Sequence, residues 1–311
     1  MEKYLVTGGA GFIGSNIIKK LLERGQFVRA LDNFATGRKE NIEEFLGNSN
    51  FEFIDGDITD LKTCQKAVKG IDFVLHQAAV PSVPRSIENP IVSNNANVSG
   101  TLNMLVASRD EKVKRFVYAS SSSVYGENPT LPKKEDFAVM PISPYALTKY
   151  AGERYCQIFY KIYGLETICL RYFNVFGPKQ NPDSAYSAVI PKFIKAFLRD
   201  EKPVIFGNGN QSRDFTFVNN VVSANLLAVK SEKGLGEVFN IACEGETSLN
   251  ELVVFLQEIS GKKIEPEYKE ARLGDVPHSK ADISKAKEFL GYIPLFDIKK
   301  GLKSTFQYYA D

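Results

Sequence analysis

The chain has 311 residues, 43% of them hydrophobic, enough for one large α/β unit or two lobes around a sizeable core. Its 39 basic and 37 acidic residues leave a net charge of +2 with no single-sign block, which argues against a nucleic-acid or membrane-surface protein. The longest apolar runs fall short of the ~20 residues a membrane span needs, and no apolar leader follows Met1, so the expected location is cytoplasmic.

In chain order, KYLVTG (Lys3 to Gly8) is a short run of strand formers. Gly8, Gly11 and Gly14 follow in TGGAGFIGS, and Ile13, Ile17, Ile18, Leu21 and Leu22 then recur at helical spacing until Gly25. QFVRALDN reads as a second strand ending at Asp32. Strand, glycine turn, helix and strand are the setting in which such glycines bind a dinucleotide. Small residues let the backbone approach a pyrophosphate, and the helix N-terminus offers unpaired N–H groups. Asp32, 18 residues after Gly14, is placed to accept both adenosine ribose hydroxyls, which favours NAD; Arg38 nearby keeps NADP as the alternative.

FEFIDGD, DFVLHQA, KRFVYAS and TICLRYF predict further strands, with helical stretches between them. The expected fold class is therefore α/β. Residues 1–176 form a Rossmann-type doubly wound parallel sheet to which the chain returns around 215–242. Asp57 and Ile58 either meet the adenine edge or serve as a turn carboxylate and a buried isoleucine. Ala78 and Ala79 end the fourth strand with side chains small enough to leave room for a cofactor. After Gly177 the strand–helix rhythm is lost, and residues 177–311 are expected to form a smaller α/β C-terminal substrate lobe. Within it, SLNE from Ser248 is a capping box opening a helix.

In SPYALTKY, Tyr145 and Lys149 stand four apart, on one face of a helix. A tyrosine titrating near ~10 is a poor base at neutral pH. A lysine ammonium ~5 Å away contributes roughly 3 kcal/mol at an effective dielectric of about 20, or about two pKa units. Tyr145 is thus expected to take a proton from a substrate hydroxyl, with Lys149 depressing its pKa.

These motifs together resemble the extended short-chain dehydrogenase/reductases, and within them the nucleotide-sugar 4-epimerases. The likeness runs through GGAGFIGS, DGDITD, HQAAVPSVPRS, SSSSVYG, SPYALTK, RYFNVFGP, QSRDFTFV and RLGDVPHSKADISKA. It implies NAD as cofactor, and it adds Phe12, Ile13, Asn33, Gln77, Asn97 and Tyr172 to the cofactor residues named above, with Tyr145 and Lys149 among them. It also implies a third catalytic residue, Ser121, bonded to the sugar's 4-oxygen beside Tyr145. Ser122 and Ser123 stand where related 4,6-dehydratases carry an Asp-Glu pair, and where related uronate decarboxylases carry a Glu at the second position. Hydroxyls cannot do that acid and base work, which leaves oxidation at C4 and re-reduction.

For the substrate, Arg213 and Arg272 match family positions that bind the diphosphate, and arginine's fork suits two phosphates. An interlobe salt bridge is the alternative for either. The resemblance places Asn174, where many uronate 4-epimerases have Thr, at the phosphate. It places Val189, Ile190, Lys192 and Phe206 at the uracil, Asp275 at its ribose, and Ser82 with the serine run at the sugar. Ser279 corresponds to a position where tyrosine excludes an N-acetyl group at C2 and a small residue admits it; capping the following helix is its alternative role.

The implied activity is NAD-dependent 4-epimerisation of UDP-hexoses through a transient 4-keto sugar, on UDP-GlcNAc/UDP-GalNAc and also UDP-Glc/UDP-Gal. A UDP-uronate 4-epimerase is the enzymatic alternative. An NAD-sensing Rossmann regulator is the non-enzymatic one, and it need not keep Ser121, Tyr145 and Lys149 together. The family implies a homodimer through two helices of the NAD lobe, with a UDP-sugar as the small-molecule partner and no nucleic acid or membrane. No metal is predicted: Cys64, Cys156, Cys169 and Cys243 lack paired ligand spacing and read as reduced thiols, and the histidines are only His76 and His278.

Overall fold

The structure, a computed structural model, describes residues 1–182, 188–271 and 278–311. Six strands fall where the apolar runs predict them: β1 (Lys3–Thr7), β2 (Phe27–Asp32), β3 (Phe51–Asp55), β4 (Phe73–His76), β5 (Arg115–Ser121) and β6 (Thr167–Tyr172). A seventh, Glu237–Ile241, pairs with β6. All are parallel, in the order seventh–β6–β5–β4–β1–β2–β3. The β1, β2, β3 run and the β4, β5, β6 run leave β1 and β4 in opposite directions. A crevice therefore opens at the carboxyl ends of these two strands, where open α/β sheets bind ligands.

Each sheet face carries its own core. Ile17, Ile18 and Leu21 of the helix Phe12–Glu23 cover one face together with Val221, Val222 and Val229 of Val218–Lys230. Leu61–Val68, Gly100–Asp110 and Pro144–Tyr163 cover the other, burying Cys64, Met104, Leu105, Cys156 and Phe159.

The last of these helices is locally well specified. The Ser143 side chain accepts from Ala146 N at 3.2 Å, Pro144 occupies the first turn, and Gly164 closes the helix with φ +72°. It lies close on the sheet because residue 152 is glycine: a Cβ there would stand 2.2 Å from the Tyr118 hydroxyl.

In the smaller lobe, Val189–Leu198, Leu249–Ser260 and Ile298–Ala310 surround Phe193, Ile194, Phe197, Leu252, Leu256 and Leu302. The capping box at Ser248 and Glu251 is present. Short ladders join Val204–Phe206 to Glu267–Lys269, and Ser212–Arg213 to both Thr247–Ser248 and His278–Ser279. The helix expected to follow Ser279 is shorter than the motif suggests. It spans Ser284–Leu290 with Ile283 at its N-cap, so the capping role for Ser279 falls away. No helix among the described residues is long and apolar enough to cross a membrane.

Candidate active site

Packing explains the glycine turn. Gly8 has φ +66°, and a Cβ on it would lie 2.8 Å from Ala78 N; one on Gly14 would lie 2.2 Å from the Gly8 carbonyl oxygen. The turn therefore sits directly on β4 and on its own helix. Gly11, at the helix N-cap, brings no side-chain acceptor, and the first turn holds no acid. Its N–H groups are left for an anion, and Gly11, Phe12, Ile13 and Gly14 line the crevice at that point. This donor set fits a pyrophosphate.

Asp32 lines the crevice beside this turn. Its oxygens accept from Ala10 N at 2.9 Å and Phe34 N at 2.8 Å, leaving lone pairs for two ribose hydroxyls. Burial raises its pKa, against those hydrogen bonds. Arg38 pairs with Glu40 at 3.3 Å. Asn33 donates to Asp57 at 2.8 Å, and Ile58 lines the same cavity of about 280 Å³ as Asp32, Asn33, Asp57, Ala78 and Ala79. Burial would raise Asp57, but the bonds from Thr59 and Asn33 prevail and hold its carboxyl below the usual range.

The adjoining cavity, of about 400 Å³, reaches Gln77, Ser82, Tyr145, Lys149 and Tyr172. Gln77, Tyr172 and Asn225 close a ring of hydrogen bonds at 2.8 to 3.2 Å. Ser82 has φ +95°, a strained conformation for serine, and Ser86, on the helix Val83–Glu88 that Ser82 caps, accepts from Tyr145 N at 3.0 Å. Thr36 and Gln180, which no motif in the sequence signals, also line this cavity, as does Arg85 of HQAAVPSVPRS.

Asn97 is buried. Expected at the cofactor, it is only 1% exposed. Its amide hydrogens go to Val80 O at 3.2 Å and Thr148 Oγ1 at 3.0 Å, while its oxygen accepts from Val80 N. It ties the Val80 loop to Thr148, and its oxygen keeps one lone pair.

At the reacting end, Ser121 hydrogen-bonds the Tyr145 phenol. Its oxygen also accepts from Ser123 N at 3.2 Å and from the Ser123 hydroxyl at 3.0 Å, which directs its own proton elsewhere. Ser123 thus orients Ser121, and Ser122 opens the short turn Ser122–Tyr125.

The expected electrostatics differ in one respect. Burial raises the Tyr145 pKa, with the Ser121 bond the opposing influence. The Lys149 ammonium donates to Ala119 O at 2.8 Å and lies 5.2 Å from the Tyr118 ring. Its own pKa is pushed down to about 8 by burial, with Glu153 opposing. A buried lysine that itself loses its proton near pH 8 is a weaker depressor of the tyrosine than the Coulomb sum assumes.

Beyond the crevice, a third cavity of about 640 Å³ is lined by Asn174, Val189, Ile190, Lys192, Phe206 and Arg213. Asn174 has φ +38° and donates to Asp214 O at 3.0 Å, so part of its amide faces the protein and not the cavity. Arg213 stands in register with Ser279 on the neighbouring parallel strand, which puts their side chains on one face. Arg272 and Asp275 lie outside the described residues.

The match to known proteins is extensive. The model of the NAD dependent epimerase/dehydratase family matches residues 4–242. A UDP-glucose 4-epimerase of Mycolicibacterium smegmatis is 38% identical over 99% of this chain and 98% of its own. The solved UDP-N-acetylglucosamine 4-epimerase of Methanobrevibacter ruminantium, in complex with UDP-N-acetylmuramic acid, superposes with a TM-score of 0.94 at 39% identity, covering 99% of this chain and 98% of that one. UDP-glucuronic acid 4-epimerase of Bacillus cereus, solved with UDP-glucuronic acid and NAD, gives 0.90 at 35% identity, covering 98% of each. Glycine turn, Asp32 and the Ser121, Tyr145 and Lys149 side chains accordingly stand on a chain that belongs to the NAD dependent epimerase/dehydratase family.

Proposed function

We propose that this NAD-dependent UDP-sugar 4-epimerase interconverts UDP-GlcNAc and UDP-GalNAc, with UDP-Glc and UDP-Gal as further substrates. One observation carries the reaction type. Beside Tyr145 the cavity of about 400 Å³ offers hydroxyls, Lys149 and Arg85, and Asp32 is the only carboxylate among its described lining residues. Such a set can move one proton on and off a sugar oxygen, but it has no second acid to expel water. The relatives named for UDP-glucose, UDP-N-acetylglucosamine and UDP-glucuronic acid support the nucleotide-sugar class.

NAD, when bound, supplies the hydride chemistry at sugar C4. Tyr145 takes the 4-hydroxyl proton and holds it for the return step. Ser121 bonds the same oxygen and, with Ser123 oriented behind it, keeps it aimed at the phenol. Arg213, at the far cavity, retains the diphosphate while the 4-keto sugar turns its other face to the cofactor. A firm hold on the nucleotide and a loose one on the sugar are what this division supplies.

The sugar preference rests on Ser279, a small residue beside Arg213. A uronate is the second reading, because Arg85 lines the Tyr145 cavity and could meet a C6 carboxylate. Assaying purified enzyme on UDP-GlcNAc, UDP-Glc and UDP-GlcA separates the two. Ser279→Tyr should cut turnover of the acetylated sugars about 10- to 200-fold by filling the space for the acetyl group, and spare UDP-Gal. Equal loss of both classes makes Ser279 structural and ends the specificity argument.

A homodimer is in keeping with the apolar side chains exposed on two neighbouring helical segments, Ile91 and Val92 on Pro90–Asn94, and Leu147, Ile158 and Ile162 on Pro144–Tyr163. Light scattering reads the state directly. Four free cysteines agree with a reducing, cytoplasmic setting.

A further inference from the structure

The ladder that sets Arg213 beside Ser279 is only two residues long on each strand, too short to define its own register. Asp214, the next residue, supplies what the ladder lacks. Its N–H donates to Ser279 O at 2.8 Å, which extends the pairing by one bond. Its carboxylate accepts from Cys243 N at 3.0 Å and from Ala281 N at 3.4 Å, and also from the backbone of Glu244 and Gly245. Its carbonyl accepts the Asn174 side-chain amide at 3.0 Å. Asp214 is thus adjacent to Arg213 and one hydrogen bond from both Asn174 and Ser279, three of the residues read at phosphate and sugar. It is itself 0% exposed and so touches no ligand.

We infer that Asp214 is the positioning residue of the substrate lobe, whose buried carboxylate joins three chain segments so that the diphosphate arm and the sugar-pocket strand hold one fixed relation. This rests on the reading of Arg213 and Ser279 as substrate residues. The alternative, a purely structural buried acid, is poorly served by this position. Burial pushes the carboxyl up to about 6, against the backbone N–H groups that bond it. Four backbone donors converge on it from segments that otherwise share only short ladders. An apolar residue could fill the volume but could not hold those segments in register.

The test is Asp214→Asn in the full chain with its NAD, measuring KM and kcat for the UDP-sugar turned over best, NAD content and melting temperature. The variant keeps the shape but turns an amide toward backbone N–H donors, which loosens the join. Expected is a KM raised about tenfold or more, with kcat lowered less than about threefold and NAD content unchanged. In a cycle with Arg213→Ala the effects should be sub-additive, the double variant's KM staying within about threefold of Arg213→Ala alone, because the arginine is what Asp214 holds. A KM within about twofold of wild type, fully multiplicative effects, or KM, kcat and NAD content failing together would overturn the inference. If Arg213→Ala raises KM and Asp214→Asn does not, only the role of Asp214 is lost. If Arg213→Ala leaves KM unchanged, the placement of the substrate is wrong and this inference goes with it. Should Asp214→Asn not accumulate as folded protein, Asp214→Glu keeps the charge and shifts it by one methylene; the same rise in KM is expected, and an unchanged KM refutes it.

Discussion

Glu153→Gln should both destabilise the protein and move its pH profile, for one structural reason. Glu153 lies one turn beyond Lys149 on Pro144–Tyr163 and is 1% exposed. Its carboxylate takes Arg171 in two bonds, each 2.8 Å, and accepts from the Ser120 hydroxyl at 2.5 Å. Arg171, 3% exposed, packs over the Tyr125 ring. Glu153 is therefore the carboxylate partner of a buried cation. Burial works against the Arg171 charge, and Glu153 more than restores it.

Removing one member of such a pair leaves the other charge uncompensated, at a cost of about 3–5 kcal/mol. A chain of 311 residues unfolds with an entropy of about 0.65 kcal/mol per kelvin, so the melting temperature should fall by about 5–8 °C. Replacing both partners with methionine should recover most of that loss, since the desolvation of two charges is then removed as well. The second readout is catalytic. Glu153 opposes the burial that pushes Lys149 down to about 8. Without the anion, Lys149 loses its proton at lower pH, and the alkaline fall of kcat/KM should move to lower pH than in wild type. Differential scanning calorimetry and a pH–rate profile decide the matter. A variant that melts within about 1 °C of wild type, or whose alkaline limb stays put or moves upward, would falsify this reading of the pair.

Tyr145→Phe should lower kcat by about 10²–10⁴-fold while NAD and UDP-sugar binding survive, because the ring stays and the proton acceptor goes; retention of half the rate would remove the residue from the mechanism. Lys149→Ala should move the pH optimum upward in the same assay if the ammonium depresses the tyrosine at all, and an unchanged optimum would confine Lys149 to holding the cofactor. NAD should be released on denaturing the purified protein, since a cofactor regenerated in every cycle need not leave; its complete absence, or net NADH formation with substrate, would count against self-contained epimerisation. Gly14→Ala should abolish that retention, because its Cβ would meet the Gly8 carbonyl oxygen at 2.2 Å and push the turn off the helix. NAD content equal to wild type would show that the turn can yield.

What was legible in the sequence was whatever leaves a local mark. β1 through β6 follow from short apolar runs, and Gly11 and Gly14 follow from their contacts with the Gly8 carbonyl three and six residues before them. Tyr145 and Lys149 could be paired because a helix brings residues four apart to one face. The polar partners that govern their chemistry leave no such mark. Lys149 meets the Ala119 carbonyl 30 positions away, Ser120 meets Glu153 across 33, and Asn97 binds Thr148 across 51. Each is an ordinary residue until the sheet stacks β5 against the helix that follows it. Asn97 is of the same kind, its amide engaged by Val80 O and by Thr148, which no local pattern signals.

Asp214 is the sharper case. It follows an arginine that the motif QSRDF brings forward, and nothing in its neighbourhood distinguishes it from a solvated turn acid. Only the return of residues 243–245 and 279–281 to the same point makes it buried, multiply bonded and raised to about 6. Local pattern is strong where one element forms a site and silent where several must converge. The nucleotide end of this crevice is built from one strand–turn–helix unit and could be read early. The sugar end is assembled from four separate segments, and that is where substrate preference has to be settled by experiment on Ser279 and Asp214.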